Sequence, residues 1–222
     1  MPEKEYAVIV AGGVGTRMNS QVPKQFIPIH GVPILMHTIR AFFDYSSGLS
    51  IVVVLPEKLH TDWFRLCEAY HFNIPLTLVN GGNTRFQSVK NGLDAIGQDG
   101  LVAIHDGVRP LVDKAIIGAS FQLAALHACA VAAVRLKESI RITDKDQTRT
   151  VDRSKFRLIQ TPQTFQIPII KKAYDQAENP SFTDDASVAE KAGYRVSLFE
   201  GSYRNIKITT PEDLLIAEAL LK

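Results

Sequence analysis

Five short apolar runs, rich in β-branched residues and separated by helical patterns, constrain this chain more than any other feature. They are Tyr6–Ala11, Ile51–Leu55, Leu76–Val79, Leu101–His105 and Ala130–Val134. A strand without polar alternation is buried on both faces, as in a parallel sheet covered by helices. Between the runs, Ile34, Leu35, Thr38, Ile39 and Phe42 share one helical face, and Ile116, Ile117, Phe121 and Ala124 share another. Strand and helix in alternation, joined by short connections, predict an α/β fold with a right-handed, mostly parallel, doubly wound sheet. The 222 residues suit one domain, 1–222, with room for a small appendage.

Residues 136–158 break the alternation. They are polar and charged, with apolar residues at Ile140, Ile142 and Val151 and a turn-like Thr143-Asp-Lys-Asp-Gln between them. This pattern predicts a two-stranded ribbon. An isolated hairpin is marginal in water, so the ribbon is expected to lean on its own body or on a second subunit. Near the end, Thr210-Pro-Glu-Asp supplies an N-cap, a first-turn Pro and early acids, predicting a helix over Leu214–Leu221. Thr183 is expected to cap another.

Composition excludes several classes. With 25 Lys and Arg against 23 Asp and Glu, the net charge of +2 gives no general attraction to nucleic acid or membrane. The longest apolar stretch, Ala128–Val134, is far below the ~20 residues of a membrane helix. Cys67 and Cys129 are far apart and form no CxxC pair, which argues against a disulfide scaffold or zinc ribbon. With no signal-like leader in the sequence, a cytoplasmic location is the expectation.

The first run leads directly into Ala11-Gly-Gly-Val-Gly-Thr-Arg-Met18. Clustered glycines let a backbone turn tightly and aim its N–H groups at an anion. A Walker A loop would require Gly-Lys-Ser/Thr, which is absent, and a dinucleotide fingerprint would require Gly where Met18 stands. What remains is a glycine turn followed by Arg17 and Pro23-Lys-Gln25; a plain turn with a surface Arg is the bland alternative. After the fourth run comes His105-Asp-Gly-Val-Arg-Pro110, at the kind of strand end where α/β sheets bind ligands. Asp106 is the one metal-ligand candidate and Arg109 an anion clamp; an internal Asp106–Arg109 ion pair is the alternative. Gly81-Gly82 precedes Thr84-Arg-Phe-Gln-Ser-Val89, a turn that can approach a flat ring. Lys207, between Ile206 and Ile208, reads as a strand residue facing away from both, in a pocket or on a solvated edge.

Taken in order, AGGVGTRM, PKQF, GGNTRFQSV, HDGVRP, TVDR, TPQTF, TDDAS and EGSYRNIKITTPEDL resemble the 2-C-methyl-D-erythritol 4-phosphate cytidylyltransferase family, over about Ala7 to Leu215. The resemblance implies a Rossmann-like nucleotidyltransferase core with a protruding β-arm that interlocks a homodimer. It also implies a Mg²⁺-dependent reaction of CTP with a polyol phosphate in isoprenoid precursor synthesis. Carried onto this chain, Ala11, Gly12 and Gly13 would cradle the triphosphate, and Arg17 and Lys24 would stabilise the transition state. Gly82, Asn83 and Ser88 would surround cytosine and ribose. Asp106, Arg109, Thr161 and Lys207 would position the polyol phosphate, with Ser139, Arg153 and Thr183 joining them, the first two from the arm. Such transfer needs positioning and cations more than a base, which agrees with the lack of an obvious catalytic His or Cys.

Some positions depart from the family's pattern: Asn83 for Asp, Gly107 for Ala, Ser139 for Thr and Gly12 for Ala. None removes a charge that the chemistry needs. The nearest rival is ribitol-5-phosphate cytidylyltransferase, against which Thr150-Val-Asp-Arg153 and Thr183-Asp-Asp-Ala-Ser187 weigh. A nucleotide-binding protein without turnover would not need Arg17, Lys24, Arg153 and Lys207 together.

Overall fold

A computed structural model describes residues 3–13, 18 and 22–221. In chain order the elements are β1 (Glu5–Val10), β2 (Pro28–Ile29), β3 (Val32–Pro33), α1 (Ile34–Tyr45), β4 (Ser50–Leu55), α2 (His60–Ala69), β5 (Thr77–Asn80), α3 (Arg85–Asp94), β6 (Leu101–Asp106), α4 (Lys114–His127) and β7 (Cys129–Arg135). There follow β8 (Arg141–Asp144), β9 (Gln147–Thr150), β10 (Arg157–Gln166), α5 (Ile167–Ala173), α6 (Asp185–Lys191), β11 (Ser197–Glu200) and α7 (Pro211–Leu220).

The main sheet has seven strands in the order β11-β7-β10-β6-β1-β4-β5. The run β5-β4-β1-β6 is parallel, β11 is parallel to β7, and β10 runs antiparallel to both its neighbours. The chain first winds outward from β1 through β4 to β5, then returns to lay β6 on the other side of β1. That reversal opens a crevice at the carboxyl ends of β1 and β6, where α/β sheets bind ligands.

Alternate residues of each buried strand face opposite layers, so one run feeds two cores. Ala7, Ile9, Ile51 and Val53 pack with Ile39 and Phe42 of α1, Trp63 of α2, and Ile117 and Phe121 of α4. Val8, Val52, Val54 and Ile104 pack with Val89 and Leu93 of α3, Ile170 of α5 and Val188 of α6. Each fully buried Val, Ile or Phe contributes about 1.5–3 kcal/mol relative to exposure, so both layers are needed to hold the sheet. A third cluster joins Ile29, Ile34, Val108 and Ile208 to Ala217, and seats α7 against the small β2–β3 hairpin.

The predicted ribbon is the β8–β9 hairpin, whose eight strand residues are all exposed. Its register pairs Asp144 with Gln147 and turns through Lys145, at φ +49°. Two expectations need correcting. Ile206-Lys207-Ile208 is not a sheet strand; the segment is tied in by Ile208 N–H donating to the Val108 carbonyl at 2.9 Å. Thr183 is not an N-cap, because the neighbouring Asp184 forms the capping box with Ser187. Thr210 caps α7 as expected, in a capping box with Asp213.

Candidate active site

Two cavities meet at the switch point. The first, about 300 Å³, is walled on one side by Ala11, Gly12, Gly13 and Lys24, and on the other by Gly82, Asn83 and Ser88. The second, about 230 Å³, is lined by Arg109, Thr161, Thr183 and Asp184, together with Gln160 and Gln163. Three residues border both: Arg85, Asp106 and Lys207. The structure therefore gathers most of the sequence-predicted residues into one groove. Arg17 lies outside the described residues. Ser139 and Arg153 line neither cavity; both are exposed at the base of the arm, where an Arg153 guanidinium N–H donates to the Lys137 carbonyl.

Local folding sets these positions. Thr84 caps α3 by accepting the Gln87 N–H at 3.1 Å, which starts the helix directly after the glycine turn. Ser88, one turn in, accepts the Gly82 N–H at 3.0 Å and donates to the Thr84 carbonyl at 2.8 Å. Its hydroxyl thus shapes the wall that faces the cleft. Gly82 is fixed by packing: a Cβ there would stand 2.3 Å from Gln87 Cβ and 3.0 Å from the Gln87 carbonyl carbon. Gly107 is equally confined, with a Cβ only 2.9 Å from Ala11 Cβ and 3.1 Å from Leu35 Cδ1. The glycine lets the β6 loop press against the glycine turn. Buried Gln25 braces that turn from below, its Nε2 donating to the Ala11 carbonyl at 2.8 Å.

Asp106 is the electrostatic centre. Its Oδ2 lies 3.0 Å from Lys207 Nζ and 3.2 Å from Arg109 Nε, and its Oδ1 lies 3.9 Å from Arg85 Nε. Burial alone would raise its pKa, but Lys207, Arg85 and Arg109 outweigh burial and hold the carboxyl well below the usual carboxylate range. Its backbone N–H donates to Thr161 Oγ1 at 3.0 Å. Thr161 can reach it because β10 shifts register between Ile159 and Gln163, an irregularity that re-aims side chains at a strand's middle. Arg109 is held by a second bond, Nη1 to the Asn205 carbonyl at 2.8 Å, while Asn205 Nδ2 donates to the Thr161 carbonyl at 2.8 Å. His105 is wholly buried against Phe42, with Nε2 3.2 Å from the Arg109 carbonyl. Burial pushes it down to about 4, so it is neutral and supports the loop.

Sequence reading missed Arg85, Gln160 and Gln163. Arg85 sat inside a recognised motif, and its place as first residue of a capped helix was the available signal. The glutamines lie on β10, whose Arg157–Gln166 sequence mixes polar and apolar residues and so lacked the continuous apolar run of a buried parallel strand.

A groove of two joined cavities at the switch point, with Arg85, Asp106 and Lys207 at the join, suits a nucleotidyltransferase, which must bring two phosphates together. The sequence agrees in detail. Residues 6–222 match the family model described as 2-C-methyl-D-erythritol 4-phosphate cytidylyltransferase (IspD), and the chain belongs to that family. It is 47% identical to the protein of that name from Bacteroides thetaiotaomicron, over 98% of this chain and all of the relative. It is 46% identical to that of Porphyromonas gingivalis over 100% of this chain and 99% of the relative. Among solved structures, 4-diphosphocytidyl-2C-methyl-D-erythritol synthase from Anaerococcus prevotii superposes with a TM-score of 0.85 at 28% identity. That match covers 99% of this chain and 96% of the other. The family places cytidylyl transfer to methylerythritol phosphate ahead of the ribitol and non-catalytic alternatives.

No cluster of three His, Cys, Asp or Glu able to hold a metal occurs among the described residues. Asp106 is the one carboxylate bordering both cavities, and its Oδ2 is already taken by two cations. At the join of the cavities the described residues thus offer a divalent cation a single carboxylate, Asp106, which suits a cation held mainly by other ligands. No helix among the described residues is long and apolar enough to cross a membrane.

Proposed function

We propose that this chain transfers the cytidylyl group of CTP to the phosphate of 2-C-methyl-D-erythritol 4-phosphate, releasing pyrophosphate. The observation that supports it most is the junction of the two cavities at Asp106 and Lys207. In this reading the first cavity takes CTP. Ala11, Gly12 and Gly13 cradle the triphosphate, Gly82, Asn83 and Ser88 border the base and ribose, and Arg17 and Lys24 stabilise charge at the α-phosphate. The second cavity takes the acceptor, held by Arg109, Thr161, Thr183 and Lys207, with Asp106 orienting both lysine and arginine. A phosphate oxygen of the acceptor attacks the α-phosphorus in line. The bond to the bridging oxygen breaks as the new one forms, and pyrophosphate leaves with that electron pair. A phosphate is already ionised, so no base is required, and cations fixed before the reaction cost no reorganisation. A divalent cation bound with CTP, against Asp106 or through water, would supply charge neutralisation on the phosphates.

The same reading treats the chain as a single nucleotidyltransferase domain, 1–222, with the arm at 136–158 as a subdomain, working in the cytoplasm. It takes the arm to interlock a homodimer, with Ser139 and Arg153 reaching the partner's acceptor pocket. The wholly exposed hairpin, and Phe156, Leu158, Ile159 and Leu198 exposed beside its base, support that role.

The experiment is pyrophosphate release from CTP and Mg²⁺ with methylerythritol 4-phosphate and ribitol 5-phosphate offered in parallel. A strong preference for the first is expected. A preference for the second would move the substrate assignment and keep the phosphate chemistry, and silence with both would sink the reading.

A further inference from the structure

Arg85 is the third residue at the junction, and its position is set from outside the groove. Its Nη1 and Nη2 donate to the two oxygens of Asp185 at 2.8 and 2.6 Å. Asp185 is wholly buried, and its Oδ1 also accepts the Tyr174 hydroxyl at 2.6 Å. Tyr174 is itself nearly inaccessible and stacks on Phe86 at 4.6 Å between ring centroids, with Phe182 stacked on the other partner of the pair. A two-pronged guanidinium–carboxylate pair fixes orientation as well as distance. The remaining Nε lies 3.9 Å from Asp106 Oδ1. Asp106 therefore has one oxygen turned toward Arg85 and the other shared by Lys207 and Arg109.

A buried ion pair is by itself weak ground for a stabilising role, because desolvation offsets the attraction. What singles this one out is its placement, since Arg85 borders both cavities while Asp185 borders neither. We infer that Arg85, anchored by Asp185 and Tyr174, is a positioning residue that orients Asp106, and through it Lys207, toward the acceptor phosphate. The inference rests on the two-pocket reading proposed above and extends it to a residue outside the assigned set.

The test uses two proteins. Arg85→Lys keeps the charge and loses the two-pronged bond. Arg85→Met/Asp185→Asn removes the pair without leaving a bare buried charge. For each, CTP affinity is measured by calorimetry without acceptor, and kcat and KM for methylerythritol 4-phosphate are measured at saturating CTP. The acceptor KM is expected to rise about tenfold or more while the CTP dissociation constant changes less than about twofold. An unchanged acceptor KM, or a CTP dissociation constant that rises in step with it, would overturn the assignment. A crystal structure of the double variant reads the inference without any turnover. Separation of Asp106 and Lys207 beyond the roughly 4 Å limit of an ion pair is expected. A retained contact near 3.0 Å would refute the positioning role, even if the wild-type chain proved to act on another substrate.

Discussion

Lys207 Nζ lies 3.0 Å from Asp106 Oδ2, so a residue just before the last helix completes a site begun at the end of β6. The contact explains how a half-exposed lysine keeps a fixed place. Asp106 is itself immobilised, by Arg109 through its side chain and by Thr161 through its backbone N–H. Arg85, Arg109 and Lys207, from three parts of the chain, thus surround one carboxylate.

Lys24 stands on the opposite wall, beside the glycine turn. Lys24→Ala is expected to lower kcat about 100-fold or more, equivalent to about 3 kcal/mol of transition-state stabilisation. Arg17→Ala should behave alike. Steady-state kinetics with a thermal melt checks this, and an unchanged kcat/KM in a folded variant would remove that residue from the role.

Gly82→Ala forces a Cβ into Gln87, including its backbone. Overpacking of this kind costs typically 1–3 kcal/mol and here would displace the turn. The expected result is weaker CTP binding by about tenfold, with acceptor KM little changed. Calorimetry with CTP decides it, and affinity equal to wild type would show that the turn does not border the nucleotide.

Stability should fall with acid in a way traceable to His105. Its pKa, about 4 in the fold, lies below the ~6.5 of an exposed histidine, so the unfolded chain binds the extra proton first. Stability is then full above about pH 6.5 and declines toward pH 4, by at most about 3 kcal/mol. Asp106, with its depressed pKa, adds a loss of the same sign below about pH 4. Denaturant titrations between pH 7 and 4 are expected to show a shallower slope for His105→Gln than for wild type; identical slopes would place the effect elsewhere.

Mixing variants tests the arm. Lys24→Ala and Arg153→Ala are each expected to be poorly active alone. If Arg153 serves the partner's pocket, a heterodimer of the two restores one complete site, and activity returns on co-refolding. No recovery, with heterodimers confirmed by mass, would assign Arg153 to its own subunit.

The parallel half of the fold was legible because Tyr6–Ala11, Ile51–Leu55 and Leu101–His105 carry unbroken apolar runs, which only burial on both faces explains. β10 was not, although it is central in the sheet. Its Gln160, Thr161, Gln163 and Thr164 are buried by being bonded, as in Thr164 Oγ1 to Ser120 Oγ at 2.8 Å, and polar residues satisfied by tertiary partners leave no periodic trace. The site divided in the same way. Asp106, Arg109 and Lys24 were visible in local motifs, whereas the hold of Asp185 on Arg85 joins segments that no local pattern relates.

The closure of the groove by Lys207 also fixes when it can exist. At about 5–20 residues per second, Lys207 is synthesised roughly 5–20 s after Asp106. Asp185, which anchors Arg85, likewise comes late. Until then β1, β4 and β6 can already pair, but the growing chain presents only half a groove. The order of synthesis therefore leaves the cavity bordered by Asp106 and Arg85 incomplete until Asp185 and Lys207 have both been made.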